Sequence, residues 1–139
     1  MPRLLITGSE GKIGTILKAG LSDRFELYCV DKLAGVGERS FCADLADDQQ
    51  VQMLVQQLIP LPYIVPLAAE ARVDADWPSV LKNNIVATRN LYEAARVNGT
   101  KRIIFASSNH VTSDYESSSP GAERDNVSPL DHHPRFRAA

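Results

Sequence analysis

Residues Leu4 to Gly14 read Leu-Leu-Ile-Thr-Gly-Ser-Glu-Gly-Lys-Ile-Gly, an apolar run that breaks into three glycines at a spacing of three. Ile13, Ile16, Leu17 and Leu21 then recur at helical spacing. The pattern predicts a strand over Arg3 to Thr7, a tight turn, and a helix from about Gly11 to Leu21. The first N–H groups of a helix have no partner within it and lie at the positive end of its dipole. A backbone open enough to approach them therefore forms an anion site. Gly8 suits the tight turn, Gly11 leaves the main chain open to the anion, and Gly14 lets the helix pack closely on the sheet. An ordinary turn under a tightly packed helix would use the same glycines, so the residues downstream decide between the two readings.

Phe25 to Val30, Phe-Glu-Leu-Tyr-Cys-Val, predicts a second strand that stops at Asp31-Lys32. An acid at the end of that strand, on the order of 20 residues past the glycine turn, accepts hydrogen bonds from the ribose hydroxyls of a bound adenosine. A solvated loop aspartate is the bland alternative. With strand, glycine turn, helix, strand and acid in succession, the anion becomes the pyrophosphate of a dinucleotide. The Asp31 carboxylate would repel a 2′-phosphate, which favours NAD over NADP, while Lys12 and Lys32 argue in the other direction.

Phe41-Cys42-Ala43 predicts a short third strand closed by Asp44-Leu45. Asp44 falls just past a strand's carboxyl end, where nucleotides bind in open α/β sheets, and is expected to contact adenine. Helix two is expected from about Asp47 to Ile59, with Asp47 and Asp48 structural at its positive end. Tyr63 to Ala69 reads as strand four, whose small residues Leu67-Ala68-Ala69 leave room for a cofactor backbone. Pro66 fits only near that strand's end or at a bulge. Trp77 to Val97 is the longest helical pattern, with Asp76 as N-cap and Pro78 in the first turn. Its expected apolar face is Val80, Leu81, Ile85, Thr88, Leu91, Tyr92 and Ala95, and Asn98-Gly99 stops it. Lys101 to Ala106 is strand five.

Strands alternating with helices imply an α/β fold, a Rossmann-type doubly wound parallel sheet in the order 3-2-1-4-5. Residues 1–112 form the expected NAD-binding domain and residues 113–139 an irregular polar tail. The tail's His132-His133 lacks a third ligand at usable spacing, so no metal is expected. At 139 residues with a formal charge of -2, the chain gives no electrostatic reason to expect nucleic acid. No signal-peptide pattern opens it and no apolar run approaches the roughly 20 residues of a membrane helix. The expected compartment is the cytoplasm, and Cys29 and Cys42 are expected to be reduced core residues.

The chain resembles the N-terminal part of the extended short-chain dehydrogenase/reductases, the NAD-dependent epimerase/dehydratase family. The resemblance is carried by Thr7-Gly8-Ser9-Glu10-Gly11-Lys12-Ile13-Gly14, Asp31, Asp44-Leu45, Leu67-Ala68-Ala69, Asn84-Ile85-Val86-Ala87-Thr88-Arg89-Asn90-Leu91 and Phe105-Ala106-Ser107-Ser108. It covers residues 3 to about 112. Ser107 to Thr112 is similar to the uronate dehydrogenase branch, which oxidises a sugar acid at its anomeric carbon and passes the hydride to NAD. By that resemblance Ser108 is the catalytic serine, and Asn109 and His110 line the sugar site with it. Gly8, Gly11, Lys12, Ile13, Gly14, Asp31, Asp44, Leu45, Leu67, Ala68, Ala69 and Asn84 are the expected cofactor residues.

The family's reaction depends on a Tyr-x-x-x-Lys pair, in which the tyrosine exchanges a proton with the substrate hydroxyl. Its place is close to positions 130 to 139, which here contain neither tyrosine nor lysine. Tyr115 is the only tyrosine after strand five and Ser119 stands four residues on. Pro66 stands where histidine is usual and Ser113 where glycine is usual. The expectation is therefore a cofactor-binding part of a sugar, nucleotide-sugar or uronate oxidoreductase, epimerase or dehydratase, truncated relative to the family. The alternative is a non-catalytic dinucleotide-binding module. Lacking later strands and helices, either would expose a sheet edge and one face of the long helix, which favours self-association.

Overall fold

In the computed structural model, which describes residues 1–33 and 35–107, the sheet is built outward from β1 (Arg3–Thr7). Leu4 to Thr7 are all buried, as a strand covered on both faces requires. β1 pairs in parallel with β2 (Glu26–Asp31) on one side and with β4 (Tyr63–Pro66) on the other. β3 (Ser40–Cys42) flanks β2, and β5 (Arg102–Ile103) flanks β4. The order is 3-2-1-4-5, as the alternation of elements predicts.

Successive side chains of a strand point to opposite faces, and the two faces carry different layers. Leu5, Val30 and Ile64 pack with Val51, Leu54 and Val55 of α2 (Asp48–Gln57) and with Leu91, Ala94 and Ala95 of α4 (Ala87–Val97). Leu4, Ile6 and Val65 turn the other way, where Leu17 and Leu21 of α1 (Lys12–Leu21) and Phe25 cover them. Asp47 caps α2 by accepting from Gln50 N at 3.1 Å, as a structural acid there should. Up to Ala106 the chain forms one compact unit; the expected boundary at 112 lies outside the described residues. Among these, no helix is long and apolar enough to cross a membrane.

The expected single helix over Trp77 to Val97 is three segments. Asp76 Oδ1 accepts from Ser79 N at 2.9 Å and starts α3 (Trp77–Val80). A π-helical turn follows over Leu81–Val86, and α4 resumes the ordinary winding. The wider turn rotates what comes before it relative to what comes after. A face drawn at constant 3.6-residue spacing therefore fails: Ala87, Asn90, Leu91, Ala94 and Ala95 are buried, whereas Leu81, Ile85 and Tyr92 are exposed. In α1, Ile13 and Ile16 are exposed as well.

Two strands are shorter than their apolar runs. β4 ends at Pro66, whose pairing with Thr7 is closed by the bond from Leu67 N to Thr7 O at 3.1 Å, and Leu67 to Ala69 lie beyond the strand. β5 pairs only at Arg102 and Ile103. Cys29 is buried, but Cys42, expected in the core, is exposed on edge strand β3 with its thiol donating to the Lys32 carbonyl at 3.3 Å.

One buried polar residue ties the helical layer to the sheet's carboxyl edge. Asn90, 3% exposed, donates from Nδ2 to the carbonyls of Leu45 and Ala46, both at 3.1 Å. An Asn90→Ala change strands those carbonyls and should lower stability by about 1–3 kcal/mol in urea unfolding. A midpoint equal to the wild type's would show that the bonds contribute nothing.

Candidate functional site

The glycine turn leaves β1 at the centre of the sheet's carboxyl edge. Gly8 has φ of +66°, a left-handed conformation that side chains disfavour. A Cβ on Gly8 would also lie 2.6 Å from Ala68 N and 2.8 Å from Ala68 Cα. Gly11 N then donates to Gly8 O at 3.1 Å, and Thr15 N to Gly11 O at 2.9 Å, which winds α1 directly out of the turn. A Cβ at Gly14 would fall 2.5 Å from Gly8 O and 2.7 Å from Ser9 O. Gly14 thus allows the helix to sit on the turn itself, rather than on the sheet as the sequence pattern implied.

Gly11 is the N-cap of α1, and no side chain caps the helix. The first-turn amides of Lys12, Ile13 and Gly14 thus have the arrangement that suits a phosphate. Lys12 and Ile13 are exposed. Glu10 would oppose an anion, but its carboxylate is drawn off by Lys18 Nζ at 2.7 Å and by Ser9 Oγ at 3.0 Å. Those two bonds, that to Lys18 first, hold its pKa below the usual glutamate value.

Asp31 ends β2 beside this turn. Its Oδ2 accepts from Glu10 N at 3.0 Å and its Oδ1 from Leu33 N at 3.1 Å. The expected ribose ligand therefore also organises the glycine turn. Asp44 lies past β3, where Lys82 Nζ reaches its Oδ2 at 2.9 Å and Lys32 Nζ its Oδ1 at 3.4 Å. The Lys82 bond chiefly, opposed by partial desolvation, lowers its pKa. Leu45 buries its side chain in the core and its carbonyl accepts from Asn90 Nδ2, which leaves its backbone N–H for any ligand.

On the other side of β1, Thr7 Oγ1 accepts from Leu67 N at 3.1 Å and from Ala68 N at 3.2 Å, fixing the exit of β4 against the turn. Ala69 is exposed beyond it. Asn84, in the π-helical turn, clamps the next residue: its Oδ1 accepts from Glu70 N at 2.6 Å and its Nδ2 donates to Glu70 O at 3.0 Å. The Glu70 carboxylate takes Arg72 Nε at 3.1 Å and Ser79 Oγ at 3.2 Å. Arg72, through side chain and backbone, is the main cause of its fall to a pKa of about 2.

The structure thus gathers Gly8, Gly11, Gly14, Asp31, Asp44, Leu67, Ala68 and Asn84 on one edge. Ser108, Asn109 and His110 lie outside the described residues. Thr7, Asn90 and Lys82 carry roles that the motifs alone did not assign. For Thr7 there was a signal: a hydroxyl at the end of a fully apolar central strand is buried and must find a partner. Among the described residues no three His, Cys, Asp or Glu side chains group as metal ligands.

A model of the NAD dependent epimerase/dehydratase family matches residues 4–137. The chain belongs to that family. It is 34% identical over 119 residues to uronate dehydrogenase of Pseudomonas putida, covering 81% of this chain and 43% of that one. It is 29% identical over 122 residues to NAD-dependent glucose-6-phosphate dehydrogenase of Haloferax volcanii, covering 81% and 45%. The uronate dehydrogenase of Agrobacterium tumefaciens, solved as a mutant complexed with NAD, superposes with a TM-score of 0.69 at 38% identity over 80% of this chain and 42% of that one. The chain spans less than half the length of these relatives.

Two substitutions test the edge. Gly8→Ala combines a disfavoured φ with a backbone clash and should lose about 2–4 kcal/mol of stability in urea unfolding. An unchanged midpoint would mean that the β4 exit yields freely. Glu70 has a folded pKa of about 2 against an ordinary 4.5. Its contribution is therefore complete above pH 4.5 and is lost as the pH falls toward 2. Acid unfolding of Glu70→Gln should be shallower than wild type within that window, and superimposable curves would show the contacts to be idle.

Proposed function

We propose that this chain is the dinucleotide-binding part of an NAD-dependent sugar or sugar-acid oxidoreductase. The observation that carries the reading is the Gly8 turn: a left-handed glycine at the end of the central strand, feeding an uncapped ten-residue helix, between the ends of β2 and β4. In a 3-2-1-4-5 sheet the strand order reverses between β1 and β4, and ligands bind at that crevice. The pyrophosphate would lie on the amides of Lys12, Ile13 and Gly14, with Gly11 open before it. Asp31 would take the ribose hydroxyls, and Asp44 and Leu45 the adenine. Leu67 and Ala68, held by Thr7, and Ala69, next to the Glu70 that Asn84 holds, would border the other half.

Bound NAD supplies a hydride acceptor. Ser108 would donate a hydrogen bond to the substrate's reacting oxygen, with Asn109 and His110 beside the sugar. The uronate and glucose-6-phosphate dehydrogenases among the relatives support a sugar or sugar acid as that substrate. The fixed negative charge of Asp31 favours NAD over NADP. The missing Tyr-x-x-x-Lys pair supports a second reading, a module that binds the dinucleotide without turning substrate over by itself.

Titration of NADH fluorescence against the 139-residue chain tests the shared part of both readings. Binding should saturate, and Gly11→Ala should weaken it about tenfold by placing a methyl where the pyrophosphate approaches. Gly11 has φ of -72° and ψ of 168°, an ordinary extended conformation. A Cβ there would touch only Gly8 O, at 3.2 Å, so the variant should still fold. No saturable binding by the wild type would sink the proposal. With a uronate and NAD, turnover by this chain would eliminate the module reading.

A further inference from the structure

A bracket of four side chains spans from the ends of β2 and β3 to the π-helical turn. Lys82 Nζ contacts Asp44 Oδ2 at 2.9 Å, and Lys32 Nζ contacts Asp44 Oδ1 at 3.4 Å and Asn83 Oδ1 at 2.5 Å. Asn83 Nδ2 donates to Ser79 O at 2.9 Å, which ties the bracket to α3. Behind it, Asp44 N donates to Gln50 Oε1 at 3.1 Å, and Asn90 holds the carbonyls of Leu45 and Ala46. The Asp44 backbone is thus fixed from below while its carboxylate is fixed from above.

A carboxylate has about four acceptor positions. Oδ1 uses two, for Ala46 N at 3.0 Å and for Lys32. Oδ2 has Lys82 as its bonded partner among the described residues. Among the described residues one position on Oδ2 is therefore open to a donor, and the bonds from Ala46 N, Lys32 and Lys82 hold the orientation of the carboxylate. Resting on the reading of this edge as a dinucleotide site, we infer that Lys82 is a positioning residue for base recognition: it aims Asp44 Oδ2 so that the site selects a purine with a 6-amino group over one with a 6-oxo group. An amino group donates to the open position. A 6-oxo oxygen meets the carboxylate as a second acceptor and is rejected.

The test compares three reduced ligands by nicotinamide fluorescence on the full chain: NADH, its hypoxanthine analogue, and the mononucleotide that has no base at this end. The wild type should prefer NADH to the hypoxanthine analogue. Lys82→Met should weaken NADH binding about five- to tenfold and leave the other two unchanged, so that the preference collapses. Lys82→Arg should keep it. The Lys82 side chain is 57% exposed, so the melting temperature should not move. Equal weakening of all three ligands would assign Lys82 a merely structural role. Unchanged or tighter NADH binding would mean that Lys82 does not aim Asp44 or competes with the base; each result overturns the inference. Failure of the wild type to bind NADH at all would instead overturn the dinucleotide reading, and this inference with it.

Discussion

The contact between Gly8 and the exit of β4 sets the geometry of everything at the sheet's carboxyl edge. Two neighbouring strands end together, and Thr7 Oγ1 holds Leu67 N and Ala68 N while the absent side chain of Gly8 lets the Ala68 backbone come close. The two effects are inseparable. A threonine hydroxyl buried at the end of an apolar strand needs donors, and the amides just after β4 supply them only if the residue following Thr7 has no Cβ. Pro66 belongs to the same device. It is the last residue of β4 paired with Thr7, and the next two amides both reach Thr7 Oγ1.

From that junction the rest of the edge follows in two directions. Toward β2, the turn is held by Glu10 N on Asp31, so the spacing between the glycine turn and the acid is set by a hydrogen bond. Toward the long helix, Asn84 grips Glu70 two residues past Ala68. The π-helical turn contains Asn84 and, two residues earlier, Lys82. It therefore serves both ends of the crevice, with Lys82 reaching Asp44 near β3 and Asn84 reaching the chain that leaves β4. Asn90, on the regular helix beyond it, secures the β3 side from within the core.

Much of this was legible in the chain. The strand order, the glycine turn, Asp31 at the end of β2, the structural acid Asp47 and the cap at Asp76 each rest on local chemistry that the sequence states directly: an apolar run, a residue without a Cβ, an acid at a fixed distance, an acid at a helix's positive end, a capping oxygen. The misreadings share a different cause. Periodicity reports which residues are apolar, not whether anything covers them, so Ile16, Leu81 and Ile85 fall on apolar helical faces and yet are exposed. A constant 3.6-residue register has no means of registering a single wide turn, so the face of the long helix was drawn through Leu81–Val86 as though it were regular. The partners of Lys82 and Thr7 lie 38 and 60 residues away in sequence, so no local pattern identifies them.

The acids along this edge differ in how their charges are met. Of the acids there, Glu10 is paired with Lys18, Asp44 with Lys32 and Lys82, and Glu70 with Arg72. Asp31, among the described residues, takes no salt bridge and is held by backbone amides alone. A pyrophosphate at the start of α1 would meet amide dipoles with the nearest acid, Glu10, already neutralised by Lys18. Those dipoles form part of the folded backbone, so their attraction needs no long side chain to be ordered. A phosphate on a ribose held at Asp31 would meet a carboxylate that, among the described residues, has backbone amides but no cationic side chain as partners. Of these acids, Asp31 alone has no cationic partner among the described residues, so the unpaired negative charge of this edge lies at the end of β2.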